Sequence, residues 1–329
     1  DPALFPGPAR RRRPWLIASA ALVAVAALAS VSAVRETSLD GIQVEEDLVY
    51  RAESPETCRL DLYRPAADPP AGGWPVVVAI HGGGWSGGSF RGYGRSVARL
   101  SRHGLAVASI GYHLSNNGKP AWPRNRNDVR ESVRWLRKHA EDYGLNPDRI
   151  AVLGASAGGH LAALLGTDPG AEVDGQSAQV SAVVDFYGPA DLAELADVPN
   201  AQAALRGLLG GPPATRPKLF KAASPVEHVS ADDPPMLLIH GTNDPTVPLE
   251  QSRKLAQTLK DAGVPHRLIE VEGAAHGFGL KTPERDFLPE ILEFLTACWD
   301  DTQRYRSPEP HSASSGASSL VPDRPSTGP

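Results

Sequence analysis

Cysteine is nearly missing from this chain: 329 residues hold only two, Cys58 and Cys298. They stand far apart and no C-x-x-C spacing occurs, which removes the usual zinc and redox motifs. Whether the two form a single disulfide or remain free thiols is a matter of distance that spacing does not settle. Charge imbalance is also small. With 33 Lys and Arg against 38 Asp and Glu the formal net charge is −5, which gives no electrostatic case for a nucleic-acid partner. There is no internal repeat. The glycine-rich stretch His81-Gly82-Gly83-Gly84-Trp85 lacks the Lys-Ser/Thr ending of a phosphate-binding P-loop. No cofactor and no metal is implied by any motif.

The one dense basic run is Arg10-Arg11-Arg12-Arg13, and twenty uncharged residues, 15–34, follow it closely. A positive stretch before an apolar one is the pattern of an export signal. Val31-Ser32-Ala33 offers small residues where a signal peptidase reads. Twenty apolar residues also suffice to cross a bilayer. Residues 1–35 are therefore expected to be a signal peptide or an N-terminal membrane anchor, placing the protein outside the cell or in its envelope. No cysteine closely follows the run, which argues against a lipid anchor.

Hydrophobic residues make up 41% of the chain, enough for a sizeable core. Residues 43–64 suit an antiparallel strand pair. Apolar strand runs then alternate with helical stretches: strands at 76–80, 105–110, 149–153, 180–186, 236–239 and 266–271, helices at 93–103, 128–143, 160–165, 250–262 and 283–299. Continuous apolar strands separated by helices predict an α/β fold, a mostly parallel sheet covered on both faces. The catalytic domain is expected to span 40–300. The alternation breaks over about 190–229, where short helical pieces suggest a small inserted cap. The Ser/Pro/Gly-rich tail, 305–329, is expected to be disordered.

The chemistry centres on Gly154-Ala155-Ser156-Ala157-Gly158-Gly159, a G-x-S-x-G motif between a β-branched run and an Ala/Leu-rich helix. A serine on such a turn holds its hydroxyl clear of both elements, and the flanking residues must be small. The hydroxyl needs a general base, and the base an orienting acid. Among ten histidines, His276 follows the strand ending at Val271, and Asp244 follows the strand ending at Ile239. Both lie where strands deliver their carboxyl ends, the edge that also carries Ser156. Asp244 stands 88 residues after the serine and 32 before His276. Asp185, also near a strand end, is the rival acid. His81 is expected to brace the glycine loop, and His160 to sit where its ring does not reach Ser156. The tetrahedral oxyanion needs backbone donors; Gly83, Gly84 and Ala157 are the candidates, with Gly82 or Trp85 as substitutes. Trp85, Tyr112, Trp122 and Phe278 flank these loops, as lining of an acyl or alcohol pocket or as ordinary core aromatics.

These motifs, in this order, resemble the α/β-hydrolase superfamily, and within it the HGGGW-type carboxylesterase and lipase branch that includes feruloyl and acetyl-xylan esterases and kynurenine formamidase-like enzymes. The resemblance covers about 43–298. It implies Ser156, Asp244 and His276 as a catalytic triad, donors around Gly83 and Gly84, and hydrolysis of small-molecule acyl esters. A formamidase or amidase on the same fold, or a non-catalytic binding protein, are the competing functions. One departure is Tyr112-His113-Leu114, where similar chains carry Tyr-Arg-Leu and use the arginine in a structural ion pair.

Overall fold

A computed structural model describes residues 39–300 apart from Asn117. The export or anchor segment and the Ser/Pro/Gly-rich tail lie outside the described residues. Among those described, no helix is long and apolar enough to cross a membrane. Gly41 opens the compact unit that carries all the elements below.

Eight described strands form one sheet: β1 (Ile42–Val49), β2 (Arg59–Pro65), β3 (Trp74–Ile80), β4 (Ala106–Ile110), β5 (Leu145–Ala155), β6 (Ala182–Phe186), β7 (Met236–Gly241) and β8 (His266–Val271). Their spatial order is β1-β2-β4-β3-β5-β6-β7-β8. The pairs β1/β2 and β2/β4 are antiparallel, and every later pair is parallel. The central strands show no polar alternation because both faces are covered. Every residue from Val76 to Ile80 is fully buried, as are most of β5 and β6. β1, at one edge, carries the consecutive acidic residues Glu45, Glu46 and Asp47 in its middle, which blunts that edge against pairing with another chain.

The main helices are α1 (Phe90–Val97), α2 (Arg124–Lys138), α3 (Ala157–Thr167), α7 (Glu250–Asp261) and α8 (Leu288–Trp299). The helix expected over 128–143 lies four residues earlier at its start and five at its end, and that expected over 160–165 is longer at both ends; two more differ for visible local reasons. The 93–103 stretch begins earlier, because the Ser89 hydroxyl caps the Gly92 N–H. It then tightens into a 3₁₀ turn, Ala98–His103, that ends at left-handed Gly104. The last helix begins only at Leu288, after a short bridge between Lys281 and Asp286.

Between β6 and β7 lie three short helices, α4 (Leu192–Leu195), α5 (Gln202–Leu209) and α6 (Pro217–Ala222), joined by 3₁₀ turns. Their root is held by side chains of α7. The Gln251 Oε1 accepts from the N–H groups of Ala190 and Asp191 at 2.9 and 2.8 Å. Lys254 donates to Asp191 at 2.6 Å and to Glu194 at 2.5 Å. Asp191 in turn caps α4 through the amides of Ala193 and Glu194.

The Tyr-His-Leu departure has a structural answer. His113 offers both its N–H and its Nδ1 to the Asp128 carboxylate at 2.8 and 2.7 Å. The cation comes instead from the β1–β2 connection, where Arg51 meets the other Asp128 oxygen at 2.8 Å. Asp128 is thus paired with an arginine that the Tyr-His-Leu segment itself does not supply.

Both cysteines are free thiols, Cys58 buried and Cys298 half-buried, so of the two readings left open the disulfide is not the one formed. Burial pushes both thiols up to about 12, which suppresses the reactive thiolate. A thiol titration should therefore count two groups in denaturant and react slowly with the native protein; an unchanged count of zero in denaturant without reductant would contradict free thiols.

Candidate active site

The elbow is built from close main-chain contacts. A Cβ on Gly154 would come within 2.1 Å of the Gly158 carbonyl oxygen, and one on Gly158 within 2.1 Å of the Ile80 carbonyl oxygen. Only glycine permits β5, the turn and α3 to approach so closely. Ser156 itself is forced to φ 56° and ψ −120°, a costly conformation for a residue with a side chain. The strain lifts its hydroxyl off the sheet edge.

Three side chains from three loops converge there. Ser156 Oγ lies 2.9 Å from His276 Nε2, and His276 Nδ1 lies 2.6 Å from Asp244 Oδ2. With the proton on Nδ1 donated to the carboxylate, Nε2 is left to accept from the serine hydroxyl. The other Asp244 oxygen accepts from the N–H groups of Thr246 and Val247 at 2.8 and 2.9 Å. Burial acts to raise this carboxyl, but the His240 ring 3.4 Å away and the hydrogen bonds from His276 and the Val247 amide outweigh it and hold the group far below the usual carboxylate range. The acid and histidine loops are laced together as well. Asn243 N–H donates to the Ala274 carbonyl at 3.0 Å, and Gly273 N–H to Thr242 Oγ1 at 2.8 Å.

Asp185, the rival acid, is fully buried and turned toward the glycines behind the elbow. Its Oδ1 accepts from the Gly188 N–H at 2.8 Å. A Cβ on Gly159 would come within 2.2 Å of it. Burial raises it to about 6. It braces the turn after β6, and the structure places Asp244 and not Asp185 against His276.

The glycine loop follows β3 and runs beside the elbow; a Cβ on Gly82 would lie 3.3 Å from Ser156 Cβ. Gly83 has φ 118°, which bars any side chain. Among the described residues, neither the Gly83 nor the Gly84 N–H donates to another protein group. Ala157 opens α3, and the first N–H groups of a helix have no intrahelical partner. The loop and the helix start that carry these amides flank the serine at Gly82 and Ala157. His81 braces the loop as anticipated: its Nδ1 donates to the Gly82 carbonyl at 2.7 Å and its ring stacks on Tyr112.

Of the candidate lining aromatics, Trp85 and Tyr112 are only 3% and 2% exposed. The Trp85 indole donates to His160 Nδ1 at 3.2 Å, and the Tyr112 hydroxyl donates to the His81 carbonyl at 2.8 Å. Both rings hold the supports of the glycine loop, and Tyr112 also borders a shallow depression of about 280 Å³ with His81, Gly88 and Phe90. Trp122 is buried beneath the Arg126 guanidinium. Phe278 stays half-buried beside an open depression of about 1120 Å³ that His276, Lys281 and Arg285 also border.

Sequence reasoning missed two supports. Tyr187, at φ 42°, packs its ring edge-on to His276 with centroids 4.8 Å apart. Its hydroxyl donates to the Phe278 carbonyl, pinning the histidine loop. The only sequence signal was its place directly after β6. Buried His240 donates from Nε2 to the Val247 carbonyl at 2.8 Å and accepts from the Ser252 hydroxyl at 2.7 Å, which stiffens the acid loop.

Cys58, His113 and Asp128 bring potential metal ligands within 4.8 Å of one another. The carboxylate is already engaged by Arg51 and His113, and the guanidinium opposes a second cation. The cluster fits a hydrogen-bonded structural role better than a metal.

The eight-stranded sheet, the strained serine turn and the Ser-His-Asp relay define an α/β-hydrolase. A family model described as BD-FAE matches residues 60–259, and the chain belongs to that family, in the carboxylesterase branch of the superfamily. Esterase LipC of Mycobacterium tuberculosis is 34% identical over 232 residues, which cover 67% of this chain and 57% of LipC. The chain thus spans little more than half the length of LipC and of the similar mycobacterial esterases LipQ and LipM. A truncated carbohydrate esterase from gut microbiota superposes with a TM-score of 0.69 at 28% identity, covering 78% of this chain and 96% of the other. The propionate-bound esterase Est2 of Thermogutta terrifontis gives a TM-score of 0.64 at 32% identity, covering 78% and 94%.

Two outcomes follow from this geometry. Gly158→Ala should destabilise the fold by more than about 3 kcal/mol, because only main chain can yield; a denaturant midpoint measures it. Burial lowers the His160 imidazole to about 4, from an unfolded value near 6.5. Between those values the unfolded chain binds the proton more readily, so this residue's contribution is complete above about pH 6.5 and is lost as pH falls towards 4. Asp185 changes stability in the opposite direction in part of the same window. The stability difference between wild type and His160→Leu, which cancels Asp185, should therefore shrink on acidification from pH 6.5 to 4 and stay flat above.

Proposed function

We propose that this protein is a serine carboxylic-ester hydrolase acting on small acyl esters. The observation that carries the reading is the His276 ring bridging Ser156 Oγ at 2.9 Å and Asp244 Oδ2 at 2.6 Å. His276 Nε2 takes the serine proton as Oγ attacks the ester carbonyl. The resulting oxyanion lies among the amides of Gly83, Gly84 and Ala157, which stabilise charge that appears only in the transition state. His276 then hands the proton to the leaving alkoxide, releasing the alcohol and an acyl-Ser156. A water deprotonated by His276 attacks the acyl group, the carboxylic acid leaves, and Oγ regains its proton. Asp244 keeps the productive tautomer and supports the imidazolium. Supporting a small acyl group, the similar Est2 is described with propionate bound, and also as phosphorylated by paraoxon.

We further infer export or envelope attachment through residues 15–34, on the strength of the four arginines that precede an uncharged run. The partner is a small-molecule ester, with no nucleic acid involved.

An organophosphonate should label Ser156 stoichiometrically, as peptide mass mapping would reveal, and chromogenic short-chain esters should turn over faster than formyl amides. Ser156→Ala should lose about 10⁶-fold in kcat and retain its fold. A variant that kept most of its esterase activity would refute the nucleophile. Asp244→Asn should cost about 10⁴-fold. If Asp185→Asn instead gave the larger loss in kcat at unchanged thermal midpoint, the acid would have to be reassigned.

A further inference from the structure

A loop made of glycines has no side chains with which to hold itself in place. The first side chain after Gly82, Gly83 and Gly84 that is large enough to anchor it is Trp85, and Trp85 is itself in the left-handed region at φ 56°. A bulky residue stays there only when its surroundings fix it. Two contacts do so. The Trp85 carbonyl accepts from the Ser115 N–H at 2.8 Å, and the indole Nε1–H donates to His160 Nδ1 at 3.2 Å.

His160 is placed to do more than accept one bond. It stands on the first turn of α3, and its backbone N–H donates to the Ser156 carbonyl at 2.9 Å. Its ring meets the Trp85 ring edge-on, with centroids 5.2 Å apart and planes at 86°. Its Nε2 lies 2.7 Å from the carbonyl of Ala223, at the end of α6. The imidazole is wholly buried. Accepting at Nδ1 and donating at Nε2 fixes a single neutral tautomer, and a protonated ring would face the indole N–H with a second donor. One residue therefore touches the serine main chain, the glycine loop and the end of the cap at once.

We propose that His160 is a positioning residue for the oxyanion hole: its ring holds Trp85, and through Trp85 the amides of Gly83 and Gly84, in register with the Ala157 amide, and it ties that register to the cap at Ala223. The inference rests on the esterase reading of Ser156 given above. The two ring nitrogens carry separable duties. Nδ1 serves the oxyanion loop and Nε2 serves the cap. An asparagine at this position places an oxygen near the Nδ1 site, whereas a glutamine places an amide nitrogen near the Nε2 site.

The test compares wild type, His160→Asn, His160→Gln and Trp85→Phe on a chromogenic short-chain ester. It also measures inhibition by a small alkylboronic acid, which adds to the serine and presents a tetrahedral anion. His160→Gln and Trp85→Phe should each lower kcat about 10- to 100-fold, a loss of the kind seen when an oxyanion donor is displaced. KM should stay within about threefold, since the interaction acts in the transition state. Boronate affinity should fall along with kcat. His160→Asn, which keeps the acceptor, should retain most of kcat and boronate affinity. In the double variant His160→Gln/Trp85→Phe the losses should not add, because both remove the same bond. Should His160→Gln fail to fold, Trp85→Phe removes the donor of that bond and carries the same comparison. Wild-type kcat and boronate affinity in Trp85→Phe or His160→Gln would overturn the proposal, as would a loss in His160→Asn equal to that in His160→Gln. A wild-type protein that neither hydrolyses esters nor takes the phosphonate label would instead sink the esterase reading, so the two failures are distinguishable.

Discussion

The contact that the rest of the site depends on is between main chains. Where α3 leaves β5, the Gly158 backbone lies against the Ile80 carbonyl so closely that no Cβ fits. That approach sets the angle at which the helix departs from the sheet, and the angle drives Ser156 into its strained conformation. Parallel packing of β3 against β5 makes the geometry possible, since it brings Ile80 and Gly154 level in the same register. The glycine loop and the serine then leave the sheet side by side, so the donors and the nucleophile need no long-range adjustment to meet.

Around this point the molecule uses buried imidazoles as fixed connectors with two ends. His276 spans the hydroxyl and the acid. His240 spans Ser252 and the Val247 carbonyl behind the acid. His160 spans the indole and the Ala223 carbonyl. Neutral imidazole is the one side chain that accepts on one side of a rigid ring and donates on the other. Only the ring of His276 retains partial exposure, at 20% of its side chain. Its neighbours are sealed, so proton exchange with solvent is confined to the ring that has to perform it.

Much of this was legible from residue order. The apolar runs marked β3 to β7, because strands buried on both faces carry few polar residues, whereas edge strand β8 mixes Leu268, Ile269 and Val271 with His266, Arg267 and Glu270. Gly154 to Gly159 marked the elbow, because main-chain crowding demands small residues there. Asp244 and His276 were legible because both directly follow strands that end at the same edge. What stayed hidden was side-chain direction. Trp85 and Tyr112 adjoin the loops, but adjacency in sequence does not say whether a ring turns to the substrate or inward, and both turn inward to hydrogen-bond the loop's supports. Tyr187 sits after β6 with no motif to announce that its hydroxyl reaches the Phe278 carbonyl. The replacement of arginine by His113 was visible as a departure, yet Arg51 could not be foreseen as the substitute cation, because it reaches Asp128 from 77 positions away.

The insert between β6 and β7 is anchored on α7 through Gln251 and Lys254, buries Leu192, Leu205, Leu208 and Phe220 in the core, and completes no strand of the sheet. Its helices are four, eight and six residues long. Its exposed turns can therefore change length without interrupting the eight-stranded frame, provided that its buried apolar residues keep their seats and the Ala223 carbonyl stays within reach of the elbow helix. Diversification of the acyl and alcohol groups accepted by such a scaffold would concentrate in this segment, and selection for new substrates would be read out as insertions and deletions in it, with the catalytic floor left untouched.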